Sequence, residues 1–206
     1  MTDTTTATSG DVVENRLARL VTEILAPWVW VLCLPLAVAW RATEHVGQTL
    51  LWGLVVGITG SVIPMAVIVR GARQGRWQGH HVTDRAGRLV PFIACLASVG
   101  TGAVLLLAGN APHQMIALSA SMFATLVVAL GITFGLNWKV SMHTAVGMGA
   151  VVILMAAYGP WLVALTPVIV LIGWSRVSLG DHSAGQVTVG ALVGAVAGGL
   201  LYVALL

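Results

Sequence analysis

The sequence predicts an all-α protein, a polytopic transmembrane helical bundle of about six to seven spans, and three observations carry that expectation. Of its 206 residues, 58% are hydrophobic and only 8% are charged, and mean hydropathy is +0.94. A soluble domain carries about 25% charged residues, so this chain has too few polar groups to cover a water-facing surface. Its apolar runs approach the roughly 20 residues a helix needs to cross the hydrocarbon core. They are continuous rather than alternating, which argues against a β-barrel. Helices also satisfy their own backbone amides, as a segment in lipid must.

Taken in order, residues 1–23 read as a polar, Thr-rich N-terminal tail in which 11–23 could form a short surface helix. Residues 24–206 then make one transmembrane domain. The spans fall near 24–40, 49–69, 89–109, 115–136, 144–158, 161–174 and 186–206. The fifth and sixth are short and meet at Gly159 and Pro160, which predicts a tight hairpin. Trp40, Trp52, Trp138, Trp161 and Trp174 sit at span ends, where amphipathic rings prefer the interface. The last span carries Gly190, Gly194 and Gly198 at four-residue spacing, a stripe that lets another helix approach closely. No short apolar core with a small-residue cleavage site follows a basic start, so no secretory signal peptide is expected.

Charge narrows the function classes. The sequence pI is near 9.4, but it comes from ten Lys and Arg, too few for a nucleic-acid partner. Cys33 and Cys95 lie within apolar runs and read as buried thiols. Seven crossings place the N-terminus and segments 70–88, 137–143 and 175–185 on one face. Nine of the ten basic residues lie there and Arg41 lies opposite, so the positive-inside rule predicts that this face is cytoplasmic, in a bacterial-type plasma membrane.

Ionisable residues at membrane depth are costly and mark function. Here they gather in three places: 80–88 before the third span, 137–143 between the fourth and fifth, and 175–186 entering the last. Successive clusters are two crossings apart, so all three meet on one face. Arg88, Arg176 and Lys139 can surround a phosphate dianion, and Ser141 can donate to a phosphoryl oxygen. His143 and His182 can divide nucleophilic attack from proton donation.

These residues resemble the type 2 phosphatidic acid phosphatase superfamily, whose signature is Lys-x6-Arg-Pro, Pro-Ser-Gly-His and Ser-Arg-x5-His-x3-Asp. The third part is met by Ser175, Arg176 and His182, and the second by Val140-Ser141-Met142-His143. The first keeps Arg88, with His81 at the Lys position and Leu89 at the Pro position; Asp84 and Arg85 lie between. The resemblance spans residues 81–186 and implies a metal-independent phosphoric monoester or pyrophosphate hydrolase with no cofactor. It implies that His182 forms a phosphohistidine and that His143 protonates the leaving alkoxide, with Arg88, Arg176 and Ser141 holding the phosphoryl oxygens. The substrate would be a lipid phosphate such as phosphatidic acid, phosphatidylglycerol phosphate or a polyprenyl phosphate or pyrophosphate.

Two departures shape the expectation. Gln186 stands where the family has Asp; its carbonyl can orient His182 but brings no negative charge. Asp181, on a continuing helix, would point about 100° away from its neighbour. With the first-motif Lys missing, Lys139 is the expected substitute cation. A family member that binds lipid phosphate without turnover, a small membrane transporter and a histidine metal site are the alternative readings. Oligomeric state is left open.

Overall fold

The computed structural model describes residues 9–75 and 89–206, with side chains from Asn15 onward. Among the described residues there is no strand. α1 (Ser9–Ile24) and α2 (Pro27–Thr43) are separated by a break at Leu25 and Ala26. The break follows from Pro27, which has no N–H to donate and opens α2 while Ala26 stays extended. α3 (Val46–Gly57) passes through a π-helical turn, Ile58–Val62, into α4 (Ile63–Arg73). α5 (Leu89–Ala108) and α6 (His113–Leu130) follow, α6 ending in a second π turn, Gly131–Gly135. α7 (Met142–Tyr158) reaches α8 (Thr166–Ser178) through a 3-10 segment, Pro160–Leu165. α9 (Ala184–Val193), a third π turn (Gly194–Leu200) and α10 (Leu201–Ala204) complete the chain.

Six helical stretches are long and apolar enough to cross a membrane: Asn15–Thr43, Val46–Arg73, Leu89–Ala108, His113–Gly135, Pro160–Ser178 and Ala184–Ala204. The seventh, α7, has 17 residues. The seven spans read from the sequence each coincide with one of these helices, and the fifth and sixth form the expected hairpin at Gly159. This is an integral, multi-pass, all-α architecture. The short α7 packs against α2, α8 and α9 and buries His143, Ala145, Gly149, Ala150 and Ile153. A helix enclosed by other helices can be shorter than one that meets lipid.

The segment expected as a tail and short surface helix is α1, which packs along α8. Ala18 and Thr22 are buried against it, and Thr22 Oγ1 donates to Ser175 Oγ at 3.1 Å. Leu25 packs on the cluster of Val151, Ile169 and Ile172. Rising residue number in α1 thus meets falling number in α8, and the two run antiparallel.

The last span meets α7 backbone to backbone along its glycine stripe. A Cβ on Gly194 would overlap the Ala145 carbonyl, and one on Gly190 would strike Ser141 O and Thr144 Oγ1. Gly198 faces Gly149, where a Cβ would come to 3.3 Å of Cα. Thr144 Oγ1 donates to Val187 O at 2.8 Å across the same seam. At the far end, Arg41 Nε donates to Ala157 O at 3.1 Å and His113 Nε2 donates to Leu205 O at 2.6 Å. These two residues therefore lie at the opposite end of α7 from His143.

Gly194→Val should lower thermal stability in detergent by about 1–3 kcal/mol or more, because the obstruction is backbone and cannot rotate away. Gly131→Ala, where an added Cβ meets nothing within 4 Å, should be neutral or slightly stabilising. Equal losses for the two variants in a thermal unfolding assay would show that the seam is not tight.

Candidate active site

The end of α8 sets the geometry. Gly180 adopts a left-handed φ of +70°, a conformation glycine takes without a Cβ penalty. Gly180 N–H donates to Val177 O at 2.9 Å and Asp181 N–H to Arg176 O at 3.1 Å, a Schellman closure of the helix. His182 N–H also donates to Arg176 O, at 3.2 Å. The chain is thereby folded back, and residues five and six positions after Arg176 return to it.

Asp181 is consequently not on a helix, which corrects the expectation that it points away. Its Oδ2 lies 2.8 Å from Arg176 Nη2. The Arg176 side chain is 1% exposed, and its Nε and Nη1 have no hydrogen-bond partner among the described residues. A buried guanidinium with two nitrogens unused is expensive unless something accepts from them. Both Asp181 and Glu23 act on its charge.

His182 opens the last span. Ser183 caps α9 through a reciprocal box in which its hydroxyl accepts from Gln186 N–H and its own N–H donates to the Gln186 side chain. The Ser183 N–H meets Gln186 Oε1 at 3.3 Å. A backbone N–H can only donate, so the atom it meets is the carbonyl oxygen. His182 Nδ1 lies 3.0 Å from that same oxygen and must therefore carry a hydrogen. A neutral His182 then has its lone pair on Nε2. Gln186 fixes the tautomer that a carboxylate would fix, without its charge.

α7 brings the second cluster to the third. Ser141 N–H donates to Gln186 O at 3.4 Å. Ser141 is the N-cap of α7 but its hydroxyl makes no cap bond, is wholly buried and has no partner among the described residues. The first N–H groups of a helix have no intrahelical acceptor and favour an anion. His143, on this first turn, is 6% exposed, as is His182. His143, Arg176 and His182 line one cavity of about 230 Å³ whose other walls are mostly apolar, with Ser61, Ser121 and Thr125 among them.

The predicted residues therefore divide into three groups. His143, Arg176, His182, Gln186 and Ser141 are brought together. Lys139 is half-buried in the turn before α7 and is not part of the cavity wall. His81, Asp84, Arg85 and Arg88 lie outside the described residues. Ser175 belongs to the scaffold, with its hydroxyl donating to Ile172 O at 2.8 Å while it accepts from Thr22. Sequence reading missed Ser183 and Gly180, although Ser-x-x-Gln and a Gly just beyond an apolar run are cap signals. Thr22 carried no local signal. Among the described residues no three His, Cys, Asp or Glu side chains gather as a metal site would require.

No protein-family model matches the chain, and no curated protein or solved structure matches it. Fold and site together define a polytopic helical membrane protein with two buried histidines and a buried, partly unused guanidinium at one end of an apolar cavity.

The Arg176 cluster makes a measurable prediction. Asp181→Ala removes the carboxylate that lies 2.8 Å from a buried cation and should cost about 1.5–3 kcal/mol of stability. Millimolar phosphate or vanadate should restore part of that loss, read as a rise in unfolding temperature larger than in the parent protein. An anion response no greater than the parent's would remove the case for an anion subsite at Arg176.

Proposed function

We propose that this chain is an integral membrane phosphatase that hydrolyses a lipid phosphate through a phosphohistidine on His182. The observation that carries the reading is the bond from His182 Nδ1 to Gln186 Oε1 beside a buried Arg176 whose Nε and Nη1 have no partner among the described residues. A correctly tautomerised imidazole and buried guanidinium donors at the head of a mostly apolar cavity are what phosphoryl transfer from an amphiphile needs. The resemblance to the type 2 phosphatidic acid phosphatase superfamily points the same way. The substrate class is a lipid phosphate: phosphatidic acid, phosphatidylglycerol phosphate or a polyprenyl phosphate or pyrophosphate. Its site would face the cytoplasm, following the basic residues.

The chemistry runs in two displacements. His182 Nε2 attacks phosphorus, the P–O bond to the alcohol breaks, and His143 gives its proton to the departing oxygen. Water then attacks the phosphohistidine, returning a proton to His143; the P–N bond breaks and inorganic phosphate leaves. Arg176 Nε and Nη1, the Ser141 hydroxyl and the first N–H groups of α7 would bind the equatorial oxygens as charge builds on them. Arg88 and Lys139 are the further cations proposed for the phosphate. A second reading, lipid-phosphate binding without turnover, is favoured by the neutrality of Gln186.

Purified protein with EDTA should release phosphate from a lipid phosphate, and His182→Ala should lose about 10³-fold or more of that rate. His143→Ala should lose about 10²–10⁴-fold on a lipid monoester but far less on p-nitrophenyl phosphate, whose leaving group needs no proton. Equal release by the parent and His182→Ala would sink the mechanism. Binding of the lipid phosphate with no release by either would leave the second reading standing.

A further inference from the structure

The cavity that begins at His143 and His182 does not end there. Along α7 its wall continues through Val146, Gly149 and Ala150 to Ile153. Ten residues of α-helix rise about 15 Å. Along α2 it runs from Ala26 through Val31 to Pro35, nine residues and nearly the same depth. The hydrocarbon core is about 30 Å thick, so one leaflet accounts for about half of that. The cavity is therefore as deep as a single leaflet, and its Arg and His side chains stand at one end only, with Ser61, Ser121 and Thr125 on the remaining wall. A volume of about 230 Å³ drawn out over that length leaves a narrow bore, suited to one hydrocarbon chain.

The sequence keeps this bore open at defined points. Gly60 lies in the π turn between α3 and α4 and lines the cavity. A Cβ there would approach Met122 Cε and Val31 Cγ1 to 2.8 Å each. Gly149 and Gly198, the latter in the π turn of the last span, line it too. π turns displace a helix face by one residue and recur at functional sites. Two of the three π turns among the described residues present a glycine to the same cavity.

We propose that one apolar chain of the lipid phosphate lies inside this crevice, parallel to α7, and that Gly60 sets how far a chain can extend past it. The proposal rests on the phosphatase reading for its headgroup and on the cavity for its tail. Arg176 at the mouth supplies the charge complement of the phosphate, and Gly60, Met122, Val31 and Ile153 supply the apolar bore. A lipid whose chains stay in the bilayer would have no use for a cavity of leaflet depth.

The test uses Cys95, which lines the same cavity, in full-length protein carrying Cys33→Ser to remove the lipid-exposed thiol. Labelling of Cys95 by a lipophilic maleimide in detergent should be slowed at least fivefold by a long-chain monoalkyl phosphate and scarcely by a hexyl phosphate. In parallel, Gly60→Leu should lower the long-chain to short-chain ratio of kcat/KM at least tenfold, mostly through KM. Equal labelling with and without the long-chain phosphate would overturn the proposal even if Gly60→Leu cannot be purified. So would phosphate release whose chain-length preference is untouched by Gly60→Leu. Chain-length-dependent protection of Cys95 without any phosphate release would support the crevice while rejecting the phosphatase reading.

Discussion

The site depends on the contact between α7 and the last span. In lipid there is no hydrophobic force to press two apolar helices together, because the tails are as apolar as the side chains. Close packing and interhelical hydrogen bonds must do it. Gly194 lets the Ala145 carbonyl come up against the facing backbone, and Thr144 then reaches Val187 O while Ser141 N–H reaches Gln186 O. Those contacts join the helix that carries His143 to the helix that begins just after His182. A larger residue anywhere on the stripe separates two imidazoles that are 39 positions apart in the chain.

The second constraint is the turn at Gly180, which acts on a shorter scale. It ends α8 and returns the chain to Arg176, so that one carbonyl accepts from both Asp181 and His182. α1 supports the same helix from behind through Thr22 and Ser175. Arg176 is thereby buried with its direction fixed, and one of its nitrogens is committed to Asp181. The remaining Nε and Nη1 are preorganised donors rather than mobile ones, which is what makes a buried arginine useful to an incoming anion.

Much of this was legible in the sequence, and the reasons differ by feature. Span number followed from hydropathy, because length in lipid is set by bilayer thickness. The glycine stripe announced a close helix contact, though not that α7 would be its partner. The meeting of Ser141 and His143 with Arg176 and His182 followed from counting crossings. Asp181 was misplaced because a helix was extended through Gly180, whose position just past the apolar run is itself a stop signal. The docking of α1 was hidden, since Thr22 finds Ser175 across 153 residues and no local pattern encodes such a pair. The cavity was hidden for a related reason. It is made by what several helices leave unfilled, and by π turns that shift Gly60 and Gly198 onto its wall.

Gln186 is best understood by the charge it leaves out. A carboxylate at this position would favour the imidazolium form of His182 and so reduce the share of neutral, attacking imidazole at rest. It would also stand next to Asp181 and to any dianion bound at Arg176, where a low dielectric magnifies repulsion. The amide keeps the one function that needs no charge, accepting from Nδ1, and Ser183 holds its oxygen in place to do so. What it would give up in the proposed mechanism is stabilisation of the positive ring formed as Nε2 bonds to phosphorus. In the proposed mechanism, electrostatic support for that step would come from the bound phosphoryl oxygens and from Asp181, whose hold on Arg176 a bound phosphoryl group would share. Asp181 thus links the two halves of the site: its hold on Arg176 at rest and its proximity to His182 are consequences of one turn at Gly180.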